Sequence, residues 1–159
     1  MNTYTLTKNG ATWMANRLCN TANTPDITVM YLIYSNGSSE YIDFDVNFST
    51  DSLNSLPDDS WYVRKSGGLV TYAYNTADGN AYAAVSGVFG RSDVSESEGR
   101  PELTSGSSKI IAVAIGYVDK NNRDVIIAAS NLGSSQTRWV DNMSMSLTCP
   151  IAISSYTGA

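Results

Sequence analysis

Asp43 and Asp45, in the stretch "YIDFDVNF", stand two positions apart, so in a strand their carboxylates share one face. Two carboxylates so placed can divide acid and base roles or hold a cation. The same alternation puts Ile42, Phe44, Val46 and Phe48 on the opposite face, which makes the aspartates the solvent side of a half-buried strand, where charge guards an edge. Asp119, Asn121, Arg123 and Asp124 echo a calcium loop. However, an arginine stands where an oxygen ligand is needed, and the central glycine and closing glutamate are missing. A polar hairpin tip is the expectation there. Asp93, Glu96 and Glu98 in "SDVSESEG" are expected to form a solvated acidic loop rather than a metal site. The "SGG" before Leu69 lacks the Lys-Ser or Lys-Thr and the helix of a phosphate loop. Histidine is absent from the chain, which removes the commonest general base, the commonest zinc ligand and every Ser-His or Cys-His pair. The residues therefore point to no catalytic group, no metal and no cofactor; a hydrolase acting through Asp43 and Asp45 is the lesser alternative.

Binding chemistry has better candidates. The chain has ten tyrosines and three tryptophans, and Tyr72, Tyr74 and Tyr82 fall on facing strands, where exposed rings form a platform for a sugar. The plainer explanation is that aromatics favour strands and fill sandwich faces. Trp13 and Arg17 lie four residues apart on a helix and can stack as a cation–π pair. They sit opposite the stripe Ala11, Met14, Ala15, Leu18 and Cys19, which is predicted to face the core. Trp13 is then either a half-covered surface ring or a contact with a neighbouring protein. In "NMSMSLTCPIAI" every second residue from Met143 to Ile153 is apolar or thiol, and Asn142, Ser144, Ser146, Thr148, Pro150 and Ala152 alternate with them. One face of that strand is dry. The other is small, largely hydroxylic and uncharged, so Ser144, Ser146 and Thr148 join Trp13 and Arg17 as candidate interface residues.

These side chains need elements to hold them. "NGATWMANRLC" predicts a short helix with Asn9 as N-cap. "ITVMYLIYSNG" is apolar almost without a break over residues 27–34, which predicts a central strand covered on both faces. It is expected to form a hairpin with residues 41–48 across Asn36-Gly37. "WYVRK", "LVTYAY" and "AYAAVSGVF" are weaker strands, whereas "KIIAVAIGYVD" and "DVIIAAS" are strong ones joined across residues 120–123. Residues 90–108 form a polar excursion too long for an ordinary turn. With no alternation of strands and long helices, the prediction is a mainly β chain: an antiparallel β-sandwich of about seven to nine strands with one short N-terminal helix.

The chain's 159 residues suit a single β-rich domain, and a 42% hydrophobic fraction fills a core without disulfides. A net charge of −5 with scattered basic residues is no footprint for nucleic acid. No apolar run is long enough to span a membrane, and the N-terminus has neither the basic start nor the apolar middle of a signal peptide, so a soluble, cytosol-made chain is expected. Cys19 and Cys149 are expected as two buried free thiols, with a single bridge between them as the lesser alternative.

The order of parts adds a resemblance. A short polar strand, a helix opening on Thr7-x-x-Gly10, the strand Ile27 to Ile33, the element Ile115 to Asp119 with its Ile-Gly core and the alanine-ending strand Val125 to Ala129 follow one another. This layout resembles the small β-rich structural domains of tailed-phage virions, in fibres, collars and baseplate-associated parts. The wording covers about fifty residues. "YSNG" departs from the Gly-rich turn usual in that family, and Ala112 or Ala114 stands where a glutamate often precedes the Ile-Gly element. The resemblance implies a non-enzymatic virion component that assembles as a homo-oligomer, a trimer among the expected forms, and docks to other virion proteins. A head decoration or a module binding host-surface glycan is the alternative.

Overall fold

A computed structural model of the chain describes residues 4–20, 24–35, 61–75, 81–90, 109–132 and 137–151. These hold the strands β1 (Tyr4–Leu6), β2 (Val29–Ser35), β3 (Trp61–Ser66), β4 (Val70–Asn75), β5 (Ala81–Phe89), β6 (Lys109–Val118), β7 (Asp124–Asn131), β8 (Thr137–Arg138) and β9 (Met143–Ile151), with one helix, α1 (Lys8–Cys19). Sheet A runs β1-β7-β6-β2-β3 with β8 added to β6, and sheet B runs β4-β5-β9. Every pairing is antiparallel. The protein is a mainly β antiparallel sandwich with a short N-terminal helix, as its strand pattern predicts.

Period-two alternation explains where the core sits. Met30, Leu32 and Tyr34 of β2 and Ile110, Val113 and Ile115 of β6 meet Val85 and Phe89 of β5 and Met143, Leu147 and Cys149 of β9 between the sheets. The intervening residues Val29, Tyr31 and Ile33 turn to the far side of sheet A and are buried there too, with Ala114 and Ile126. β2 is therefore covered on both faces, which is why its sequence shows no polar alternation. Its expected hairpin is corrected by the register. Both edges of β2 are filled, by β3 over Val29–Tyr34 and by β6 over Val29–Ser35. Residues 41–48 themselves lie outside the described residues, as do 91–108.

The helix docks differently from the sequence expectation. Its N-cap is Thr7, not Asn9: the Thr7 hydroxyl accepts from the Gly10 N–H at 2.8 Å and donates to the Ile126 carbonyl at 2.6 Å. The β6–β7 register skips Ile127, a bulge that leaves the Ile127 carbonyl to accept from the Thr7 N–H at 3.0 Å. At Gly10 the helix backbone lies so close that a Cβ would stand 1.9 Å from that same carbonyl oxygen. The side that comes down on the sheet is thus the side of Gly10 and Trp13. Leu18, assigned to the core by periodicity, is 70% exposed, and Cys19 is exposed as well. A backbone approach that only glycine permits overrides a weak apolar stripe.

The chain passes from sheet A to sheet B across Gly67 and Gly68, with φ of +82° and +68°, a left-handed pair that glycine adopts without strain. At the β6–β7 tip, Asp119 Oδ1 accepts from the backbone N–H groups of Asn121 (2.8 Å) and Arg123 (2.9 Å), so the polar tip is an Asx-type turn. Among the described residues no helix is long and apolar enough to cross a membrane.

Candidate functional site

The two sheets differ on their outer faces. The outer face of sheet A is buried over β2, β6 and β7, and that of sheet B is open. On β4, Val70, Tyr72 and Tyr74 point outward, paired with Ser86, Ala84 and Tyr82 of β5, which in turn pair with Ser146, Thr148 and Pro150 of β9. Val88 pairs with Ser144 at one end. Val70, Val88, Tyr72 and Tyr74 are between 40% and 59% exposed, and no charged side chain stands at these outward positions. The structure therefore brings two separately predicted sets, Tyr72, Tyr74 and Tyr82 on one side and Ser144, Ser146 and Thr148 on the other, onto one surface.

The tyrosines form a continuous stack. Ring centroids lie 5.7 Å apart for Tyr72–Tyr74 and 5.2 Å for Tyr74–Tyr82, with interplanar angles of 29° and 14°. Near-parallel planes at that separation mean that the rings turn their faces on one another. The stack covers both faces of Tyr74 and leaves one face each on Tyr72 and Tyr82. Ala84, opposite Tyr72, is buried although it lies on this face, so the relief is uneven: a raised aromatic and valine strip on β4, a low strip of Ser144, Ser146 and Thr148 on β9.

Trp13 and Arg17 stack as the spacing predicts, the guanidinium carbon 4.8 Å from the ring centroid. Their partners are intramolecular. Trp13 Nε1–H donates to the Pro25 carbonyl at 2.8 Å, and Arg17 reaches the same carbonyl and the Asp26 carboxylate, each at 3.1 Å. Trp13 is half-buried and packs against the inter-sheet core. Its job is to tie the helix to the segment leading into β2. Beside it a half-open cleft of about 540 Å³ runs along Ile27, Leu69 and the Gly67-Gly68 turn.

A polar network that sequence reading missed lies on the buried side of sheet A. Tyr31, fully buried, donates its hydroxyl to Asp124, whose two carboxylate oxygens accept from Arg64 Nε at 2.6 Å and Nη2 at 2.9 Å. Burial, followed by the Asp124 carboxylate, pushes the Tyr31 phenol far above its ordinary range. The hydrogen bond to Asp124 holds Arg64 protonated, against the cost of its own burial. The signal available was a hydroxyl inside an otherwise apolar two-sided strand, which must find an acceptor. Asp124 was assigned instead to the hairpin tip. Here it closes a clamp across β2, β3 and β7.

Asp43, Asp45, Asp93, Glu96 and Glu98 lie outside the described residues. Both cysteines are free thiols. Cys149 is buried on the inner face of β9 with its pKa pushed up to about 11 by desolvation, whereas Cys19 is on the surface, contrary to its inward assignment. No family model, no curated protein and no solved structure matches the chain.

Proposed function

We propose that this chain is a non-enzymatic structural component of a tailed-phage virion, fibre-, collar- or baseplate-associated, that works by docking through the outer face of sheet B. The supporting observation is the contrast between the two outer faces: one buried over its central strands, the other uncharged, tyrosine- and valine-bearing and open. A surface of that make-up suits a protein neighbour, because charge is depleted at the centre of protein interfaces and tyrosine is enriched there. The virion setting rests on the resemblance of Thr7 to Gly10, Ile27 to Ile33, Ile115 to Asp119 and Val125 to Ala129. Antibody raised against the chain should label purified particles at a discrete site, and a Tyr74→Arg variant should drop out of them. Particles that never carry the chain would overturn the reading.

A glycan on the same tyrosines is the second reading, favoured by the exposure of Tyr72 and Tyr74. Sugars stack on ring faces, and four of the six faces here lie against another ring, both of Tyr74's among them, so docking to protein is preferred. Saturable binding on a glycan array, lost in Tyr72→Ala, would reverse that preference.

A further inference from the structure

Beyond the outer face, we infer that the free edge of β4 takes up an extended peptide segment of another protein, which adds a strand to sheet B and sets a bulky apolar side chain into the cleft beneath. The end strands of the two sheets supply the first observation. β1 is only three residues long, β3 carries Arg64 and Lys65, and β9 carries Pro150. Shortness, charge and proline are the usual guards of an open edge. β4, Val-Thr-Tyr-Ala-Tyr-Asn, has none of them, and its register with β5 runs without a bulge. Valine, threonine and tyrosine also favour the extended conformation that a strand partner needs.

Exposure shows that the edge is open. Val70, Thr71, Tyr72, Ala73 and Tyr74 are all exposed, although Thr71 and Ala73 pair with Val85 and Ala83 and so face inward. A strand laid along β4 would shield a side chain as small as that of Ala73. Among the described residues β5 is the single strand hydrogen-bonded to β4, so alternate N–H and C=O groups of β4 turn to the outside. Those groups set the edge apart from the uncharged face beside it. A face fits any protein neighbour, whereas a ladder is satisfied only by another extended backbone.

The cleft says what that segment carries. Leu69 and Thr71, on the inward side of β4 and its approach, line the cleft of about 540 Å³ together with Trp13 and Ile27, and Arg17 and Asp26 line it too. In a strand added beside β4, every second side chain points to this inward side. A partly apolar cleft of that size holds a leucine or phenylalanine, so main-chain bonds supply affinity and the cleft selects the side chain. A second copy that continued the sheet with its core on the same side would offer Thr71 and Ala73 there, which are too small to fill it. The occupant is therefore a segment of a different protein, with a bulky apolar residue among β-formers.

Fluorescein-labelled, threonine-rich peptides of seven residues, differing only in a central alanine, leucine or phenylalanine, test this by anisotropy. The leucine or phenylalanine peptide should bind at least about tenfold more tightly than the alanine one. N-methylation of every second peptide amide should abolish binding in one phase and not in the other, because only one set of amides bonds to β4. Thr71→Lys and Ala73→Lys each add an inward charge at an exposed position, and should lose the peptide while keeping the parent's circular dichroism. No saturable binding up to about 1 mM, equal affinity for all three central residues, or tolerance of N-methylation in both phases would overturn the inference. So would a concentration-dependent dimer abolished by Ala73→Lys, since the edge then takes a second β4. The outer-face reading is judged separately, by Tyr74→Arg in particles, and neither result decides the other.

Discussion

Tyr31 shows how one hydroxyl commits three strands. Its ring is buried edge-on to Tyr62 at 5.7 Å and its hydroxyl donates to Asp124, so removing the carboxylate leaves that hydroxyl without its acceptor in a dry place. Tyr31→Phe should cost about 1–2 kcal/mol in urea unfolding. Asp124→Ala should cost more, about 3 kcal/mol, because it leaves both Tyr31 and Arg64 without their acceptor. The raised Tyr31 pKa also has a signed consequence: its contribution is whole below the unfolded phenol value of about 10 and is lost as pH climbs above it, since only the unfolded chain then ionises. Unfolding midpoints of parent and Tyr31→Phe should therefore converge at alkaline pH. Cysteine chemistry separates in the same way. At pH 8 a thiol reagent should label Cys19 in the native protein and reach Cys149 only on unfolding, as peptide mapping would show.

Among the elements, the helix is held by its first turn. Gly10→Ala would drive a methyl into the Ile127 carbonyl, so the helix must lift, with an expected loss of about 2–4 kcal/mol. Thr7→Ala removes both the cap and the bond to Ile126, and should cost about 1–2 kcal/mol. Hydrogen exchange confined to α1 and β1 would confirm that the damage is local. The helix was legible as a helix from its spacing, but its orientation was not. Periodicity ranks side chains by hydropathy, and here the closest contact is made by a residue with no side chain. At the β6–β7 tip the N–H groups of Arg123 and Asn121 hold the Asp119 carboxyl below the ordinary range. Its contribution to the turn thus persists above the unfolded carboxylate pKa and fades as pH falls through the folded one; a carboxyl NMR titration reads this directly.

At the scale of the whole molecule, one core joins the sheets. Leu147 on β9 and Trp139 ahead of it are buried with Leu32, Val85 and Ile110, so Leu147→Ala should destabilise both sheets together by about 2–4 kcal/mol. Tryptophan fluorescence, to which buried Trp139 contributes, and far-ultraviolet circular dichroism should then report one coincident transition in parent and variant. The asymmetry between the outer faces belongs to this scale too. Sheet A is covered on both sides over its central strands and sheet B on one, which leaves the outer face of sheet B as an uncharged β-surface for a partner among the described residues.

Local pattern alone marked β2 and β9 as strands, since alternation in β9 and unbroken apolarity in β2 are imposed by which faces must be dry, and each is written in consecutive residues, whereas the two-residue β8 has no such pattern. The exposed hydroxyl face of β9 and the Trp13–Arg17 stack were legible for the same reason: they depend on spacing within one element. What only the tertiary structure decided are the relations between elements. β2 takes β3 and β6 as neighbours, Gly10 chooses the docking side of the helix, Asp124 leaves the hairpin tip for Tyr31 and Arg64, and the tyrosines and serines share one surface. Each of these is fixed by strand order and register over separations of tens of residues, and strand order follows from the packing of the whole chain, which no single stretch encodes.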